Sequence, residues 1–229
     1  MAYRYAVYFV PSDDSDLYEF GARWLGRDSL GQKRPPFDIQ NLTLHEWEKV
    51  ISGPRKYGFH ATLNPPFPLK KRFSERQFYE AVQQFSASHK HVVIGNLRLI
   101  QLGGFLALCP IKLNAGRELA ADCLHEFECF RAPITDKEIL YRNPATLTQN
   151  QRNLLRRWGY PYVLNEFRFH MTLSGDVSAA MITLVSEGLQ KLLIAITQSE
   201  VTIRDLCVFV QTSPSANFQL AERFPMGLS

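Results

Sequence analysis

One five-residue word, Phe-His-x-Thr-Leu, occurs twice in the 229-residue chain, once in each half. The first copy lies in "YGFHATLNPPF" (57–67) and the second in "EFRFHMTLSG" (166–175). Successive side chains of a β-strand point to opposite faces, so this alternation describes a strand with two unlike sides. Over 57–64, Gly58, His60 and Thr62 share one face and Tyr57, Phe59, Ala61 and Leu63 the other. Over 167–174, Arg168, His170 and Thr172 share a face opposite Phe167, Phe169, Met171 and Leu173. Each strand thus offers an apolar side to a core and a side bearing a histidine and a threonine. Each ends at chain breakers, Pro65-Pro66 and Ser174-Gly175, and two adjacent prolines are expected to end a central strand.

The elements around the two words alternate in type. A strand is expected over 3–10, then a helix in "SDLYEFGARWLG", capped within Ser12–Ser15 and stopped at Gly26. Thr43 and Glu46 form a capping-box pattern opening "LHEWEKVIS", which Gly53-Pro54 should end. Ser74 and Gln77 repeat the pattern before a helix. Strands at 92–100 and 104–110 meet at Gly103-Gly104, a hairpin signal. A helix over 115–130, a polar connection over 132–147, a helix stopping at Gly159, a helix over 178–194 and strands at 199–204, 206–212 and 217–223 complete the chain. Hairpins mixed with helices point to an α+β fold with mainly antiparallel sheets. No low-complexity linker divides the chain, so 1–229 reads as a single unit whose halves are lobes.

Bulk properties narrow the function classes. With 45% hydrophobic and 21% charged residues, the composition is that of an ordinary globular protein. A net charge of +4 suits an anionic ligand such as a phosphate ester, and is too small to argue for duplex DNA. No apolar run approaches the roughly 18 residues of a spanning helix, and "MAYRYAVYFVP" is too short in apolar residues for a signal peptide. The four cysteines, Cys109, Cys123, Cys129 and Cys207, form no C-x-x-C pair and read as buried free thiols of a reducing, cytoplasmic setting.

The polar faces carry a definite chemistry. Histidine both takes and gives a proton near neutral pH. Two of them flanking one phosphodiester can divide the work, one removing a proton from the attacking oxygen and the other protonating the leaving oxygen. Thr62 and Thr172, on the same faces, can donate to non-bridging phosphate oxygens. Arg168 could add charge stabilisation. That scheme calls for no metal and no cofactor. A single His-x-Thr on a strand is usually an ordinary polar pair; the doubled word, with one parity and one kind of ending, is what favours function.

Other residues carry less. Lys56 shares parity with His60 and could reach the mouth of a cleft, or simply be solvated. Arg131, near a helix end, either complements the helix dipole or makes a second phosphate contact. Lys70-Lys71-Arg72 could recruit an anion but reads rather as a solvated cluster, Tyr57 has core parity, and Tyr160 and Tyr162 could stack on a sugar or base but read rather as packing residues. Cys123, His125 and Cys129 lack zinc-site spacing, and His45, His89 and His91 receive no role.

Two His-x-Thr strands, one per half of an α+β chain of this size, resemble the signature of the 2H phosphoesterase superfamily. The words "RYAVYFVP", "WLGRD", "YGFHATLNPPF", "FRAPIT" and "RRWGYPYVLNEFRFHMTL", spread over 4–173, resemble its branch encoded in phosphonate-utilisation operons. The resemblance implies a bilobal fold, two antiparallel sheet-plus-helix lobes related by a pseudo-twofold axis around a central cleft. It implies His60 and His170 as the acid–base pair and Thr62 and Thr172 as phosphate clamps. It implies metal-independent action on a small cyclic or ribosyl phosphate, such as an intermediate of phosphonate breakdown. An RNA-end-processing ligase or cyclic phosphodiesterase, and a non-catalytic phosphate-binding protein on the same scaffold, stand as alternatives. Nucleic acid is allowed but not favoured, because the aromatic–basic interleaving of single-strand binders is missing. Oligomeric state, and which histidine is acid and which base, stay open.

Overall fold

The computed structural model describes residues 2–227; Met1, Leu228 and Ser229, at the ends of the expected 1–229 unit, lie outside the described residues. In chain order the elements are β1 (Arg4–Phe9), α1 (Asp16–Trp24), α2 (Leu44–Arg55), β2 (Ala61–Phe67), α3 (Glu75–Ser88), β3 (Val92–Gly95), β4 (Leu97–Leu102) and β5 (Phe105–Pro110). Then follow α4 (Arg117–Phe127), α5 (Asp136–Tyr141), α6 (Gln149–Trp158), β6 (Met171–Thr172), α7 (Ala179–Leu193), β7 (Val201–Ile203), β8 (Asp205–Gln211) and β9 (Gln219–Pro225). Local chemistry sets many of the starts. Thr43/Glu46 and Ser74/Gln77 make the expected capping boxes, and Thr135/Glu138 and Thr148/Gln151 make two more. The box at Thr135 is why the 132–147 connection contains a helix, α5, where no element is expected. No described helix is long and apolar enough to cross a membrane.

The fold is α+β, and all the pairings between its described strands are antiparallel. Seven strands form one sheet in the order β4-β5-β6-β2-β1-β8-β9, and β3 pairs with β7 in a second, two-stranded sheet. The expected strand over 92–100 therefore divides. Gly95, at φ +83, turns the chain between β3 and β4 and sends them to different sheets. The two lobes meet in the large sheet where β2 lies beside β6, paired only at Ala61↔Met171. On one side of this seam α7 packs on β4 and β5; on the other α3 packs on β8 and β9. A contiguous core runs under both, from Tyr5, Val7 and Phe9 on β1 through Phe59, Ala61 and Leu63 to Phe169, Met171 and Leu173. The apolar faces read from the two words are thus the faces that pack. Cys109, Cys123 and Cys207 are the expected buried free thiols, but Cys129 is exposed, because it lies just past the end of α4.

Two expected breaks do not occur where expected. β2 starts at Ala61 and continues through Pro65-Pro66 to Phe67. The prolines are tolerated because β6 pairs with β2 at Ala61 alone, leaving that edge open farther on. On the other edge the register with β1 shifts between Val7↔Asn64 and Tyr5↔Phe67, so the prolines sit in an irregularity. Likewise α2 does not stop at Gly53-Pro54 but runs to Arg55. Pro54 has no N–H for the Val50 carbonyl. The N–H of Gly175 takes that carbonyl instead, at 2.7 Å, which ties the end of the second motif to α2.

Candidate functional site

The two motif segments are anchored by their phenylalanines. A Cβ on Gly21, inside α1, would lie 1.9 Å from Phe59 Cδ1, so the ring rests directly on the helix backbone. Glycine within a helix costs about 1 kcal/mol relative to alanine, and the packing of Phe59 accounts for it here. Phe169 packs in the same way beside Gly116, the residue preceding α4. The regular strand in each copy is shorter than the word: 57–60 precede β2, and only Met171 and Thr172 form β6. Ser174 closes the second copy, accepting from Leu106 N at 2.9 Å through its hydroxyl.

On the opposite face, His60, Thr62, His170 and Thr172 line one cleft of about 370 Å³. Extending the Ala61↔Met171 register places His60 across from Thr172 and Thr62 across from His170. The histidines are therefore diagonal neighbours, with backbones about 7–8 Å apart. Each imidazole is fixed identically. Nδ1 of His60 donates to the Gly58 carbonyl and Nδ1 of His170 to the Arg168 carbonyl, both at 2.8 Å. A carbonyl only accepts, so Nδ1 carries the proton in each neutral ring and Nε2 is the free lone pair. At His60 that Nε2 lies 3.2 Å from the Thr62 hydroxyl, which donates to it.

Electrostatics sets the two rings apart. Burial pushes His60 down to about 4; the Gly58 carbonyl opposes this, and His170 and Arg27 add to it. His170 is also lowered, first by burial, with the Arg168 carbonyl opposing and the Arg168 cation adding. Arg27 is a buried cation whose guanidinium donates to the carbonyls of Arg55, Lys56, Phe218 and Asp28. Burial lowers it to about 10, so it stays charged at neutral pH. It clamps the turn that presents His60. In that turn Gly58 takes φ +81, and a Cβ there would meet Arg27 Nη2 at 3.4 Å.

The remaining predicted contacts do not assemble with these four. Arg168 is exposed and does not line the cleft; its charge and its carbonyl act on His170 from outside. Lys56 caps α2 and its Nζ donates to the Pro214 carbonyl at 3.0 Å. The parity that linked it to His60 fails because the left-handed Gly58 interrupts the alternation. Arg131 makes a two-pronged pair with Glu128, at 2.7 and 2.8 Å, and a bond to the Arg157 carbonyl, joining the end of α4 to α6. It is not among the residues that line the cleft.

Several cleft residues escape the sequence reading. Tyr57, expected in the core, lines the cleft and stacks on Phe218 with centroids 5.3 Å apart. Tyr8 stacks on His60 at 3.8 Å. Arg4, Arg142, Tyr160 and Asp176 complete the walls. For Arg4 and Tyr8 a signal existed: in "RYAVYF" they alternate with Tyr5, Val7 and Phe9, so an arginine shares the face turned away from the main core, where Ala6 and Tyr8 pack in a smaller cluster with Phe209 and Phe218. Arg142 and Tyr160 come from segments outside both motif words, and tertiary packing brings them to the cleft, whereas Asp176 directly follows the second word.

Known proteins resemble the chain at several levels. A family described as "Protein of unknown function (DUF1045)" matches residues 62–219. A protein of Janthinobacterium sp. (strain Marseille) named ribose 1,5-bisphosphate phosphokinase PhnN is 34% identical over 97% of this chain and 50% of its own length. A protein of the same name from Laribacter hongkongensis (strain HLHK9) is 32% identical over 76% of this chain and 40% of its own. The chain thus spans half or less of these curated relatives. Among solved structures, Kluyveromyces marxianus Usb1 aligns over 98% of this chain and 99% of that one, with 13% identity and a TM-score of 0.42, a likeness too distant to carry an argument.

Proposed function

The chain belongs to the DUF1045 family of proteins of unknown function, and from that premise we propose that it is a metal-independent phosphoesterase of the 2H type acting on a small cyclic or ribosyl phosphate. The observation that carries this reading is the paired imidazoles, each with Nδ1 protonated against a backbone carbonyl and Nε2 left for the cleft, flanked by two threonine hydroxyls. His60, the more strongly depressed, is neutral at pH 7 and acts as base: Nε2 takes a proton from water as the water oxygen bonds to phosphorus. His170 acts as acid, giving an Nε2 proton to the ester oxygen as its bond to phosphorus breaks. The products are a phosphate monoester and a free hydroxyl, and proton exchange with solvent resets the pair. With substrate bound, Thr62 turns its single hydroxyl proton from His60 Nε2 to a non-bridging oxygen, which frees that nitrogen for the water proton, and Thr172 donates to the other oxygen, whose charge grows in the transition state.

The ribosyl part of the reading is supported by the name ribose 1,5-bisphosphate phosphokinase on relatives that share this segment. Their kinase activity is not carried over. Placement in phosphonate breakdown rests on the operon branch that the sequence resembles. The test is a turnover screen of cyclic and acyclic ribose phosphates in the presence of a chelator, with His60→Ala/His170→Ala as the blank. Hydrolysis by the wild-type protein alone is expected. Full activity in the double variant, or turnover abolished by the chelator, would overturn the reading, and cleavage of RNA ends in place of small esters would redirect it.

A further inference from the structure

The word "WLGRD" (24–28), where α1 ends, lies outside both motif words yet is tied to each of them. Within it Arg27 is 5% exposed. A buried cation is costly unless its charge and its donors are met. Among the described residues no carboxylate lies within ion-pair distance of Arg27, and the buried Asp28 beside it pairs with Arg34 instead. Backbone carbonyls meet the guanidinium in its place: Arg55 at 2.7 Å, Phe218 at 2.8 Å, Asp28 at 3.2 Å and Lys56 at 3.3 Å. Arg55 returns the tie by donating Nε to the Leu25 carbonyl at 2.9 Å. The bonds pass over Gly26, where a Cβ would collide with Arg55 Nη2.

The cage encloses the turn that leads from α2 into the first word. That turn ends at the left-handed Gly58, whose carbonyl accepts from His60 Nδ1 at 2.8 Å. The Thr62 hydroxyl at Nε2 can donate or accept, so it selects no tautomer; the carbonyl, which only accepts, does. The second copy is held differently. Its anchoring carbonyl comes from the exposed Arg168, which needs no left-handed turn, and its end is tied to Trp24, whose Nε1 donates to the Leu173 carbonyl at 2.7 Å.

We propose that Arg27 is a positioning residue for His60. Its guanidinium gathers the Arg55, Lys56 and Phe218 carbonyls, holds the Gly58 turn, and through the Gly58 carbonyl keeps the imidazole proton on Nδ1 and Nε2 free. A lysine would supply the charge but not the planar fork of donors that spans these carbonyls. The role of the free Nε2 as a base rests on the phosphoesterase reading; the choice of tautomer does not.

The test reads the imidazole nitrogen shifts by NMR, which report the nitrogen that carries the proton, at pH 7 in wild type, Arg27→Lys and Trp24→Phe. Wild type should show His60 as one tautomer, protonated on Nδ1. Arg27→Lys keeps a cation but loses the fork, and should show both tautomers at His60 with His170 unchanged. Trp24→Phe cuts the tie to the second word and should leave His60 in one tautomer. On any diester that the wild type hydrolyses, Arg27→Lys should lower kcat about a hundredfold with little change in KM, as a misplaced catalytic group does. A single Nδ1-protonated tautomer at His60 in Arg27→Lys would overturn the proposal. So would mixed tautomers at His60 in Trp24→Phe, which would mark a general loosening. If Arg27→Lys does not fold, hydrogen exchange at Arg27 Nε in the wild type decides: the caged proton should exchange far more slowly than those of exposed arginines, and equal rates would overturn the cage. If no diester is turned over, the histidine reading falls, and the tautomers still decide the role of Arg27.

Discussion

The two His-x-Thr copies occupy equivalent places in one sheet, yet their surroundings differ. His60 stacks on Tyr8 at 3.8 Å, shares Nε2 with Thr62 and lies near the buried Arg27 cation. Among the described residues the aromatic ring beside His170 is Phe105, at a centroid distance of 6.0 Å and tilted, with Arg168 on the solvent side. Identical backbone clamps fix one tautomer in both rings, while unequal burial and charge separate their proton affinities. The repeated word therefore builds the symmetric part of the site, the strand parity and the Nδ1 anchor. The unrepeated neighbours assign the roles, because a site with two interchangeable histidines would have no preferred base.

The strongest way to break this comparison is to remove each ring. His60→Ala and His170→Ala should each lower kcat/KM by about 10²–10⁴-fold with the fold intact. The pH profile of wild-type kcat/KM separates the roles. Its acid limb should follow His60, near 4, and its basic limb His170, below the ordinary 6.5, placing the optimum on the acid side of neutrality. In His170→Ala the basic limb should disappear and the acid limb persist. The opposite outcome, an acid limb lost with His170, would exchange the two roles.

The threonines sharpen the comparison at a smaller scale. Thr62→Val and Thr172→Val should each cost about a hundredfold in kcat, the usual loss for one donor to a developing oxyanion. Only Thr62 also donates to an imidazole, stabilising neutral His60. Thr62→Val should therefore move the acid limb to higher pH, and Thr172→Val should leave that limb in place. Identical pH profiles in the two variants would show that the Thr62–His60 contact is not made in solution.

How much of this was legible follows the same division. Strand parity is local, so Phe59, Ala61, Leu63, Phe169, Met171 and Leu173 fell on the packed face, and His60, Thr62, His170 and Thr172 on the open one. Gly58 marks the limit of that logic: its left-handed turn broke the alternation and put Tyr57 in the cleft and Lys56 outside it. Pro54 and Pro65-Pro66 read as stops, because the sequence does not reveal that Gly175 would supply the missing hydrogen bond or that β6 would leave the edge of β2 open. Arg131 read as a phosphate contact because its partner, Glu128, one turn back on the chain, looked no different from any solvated acid. Arg142 became part of the site through tertiary packing alone, whereas Asp176 follows directly on the second word and reaches the cleft with it.

The smallest expected effect tests the unequal burial without any substrate. A histidine held below its ordinary value binds protons more readily in the unfolded chain. Its contribution to stability is therefore fully present above the unfolded value of 6.5 and is lost as the pH falls through the folded one. For His60 that window runs from 6.5 down to about 4. Over it the wild-type melting temperature should decline, and more steeply than in His60→Gln, where the proton-binding group is gone. His170→Gln should flatten the curve in the same direction but by less, since its ring is the less strongly lowered. If His170→Gln flattens the curve more than His60→Gln does, His170 is the more protected base, and the assignment of acid and base must be reversed even though the cleft, the clamps and the threonines stay where they are.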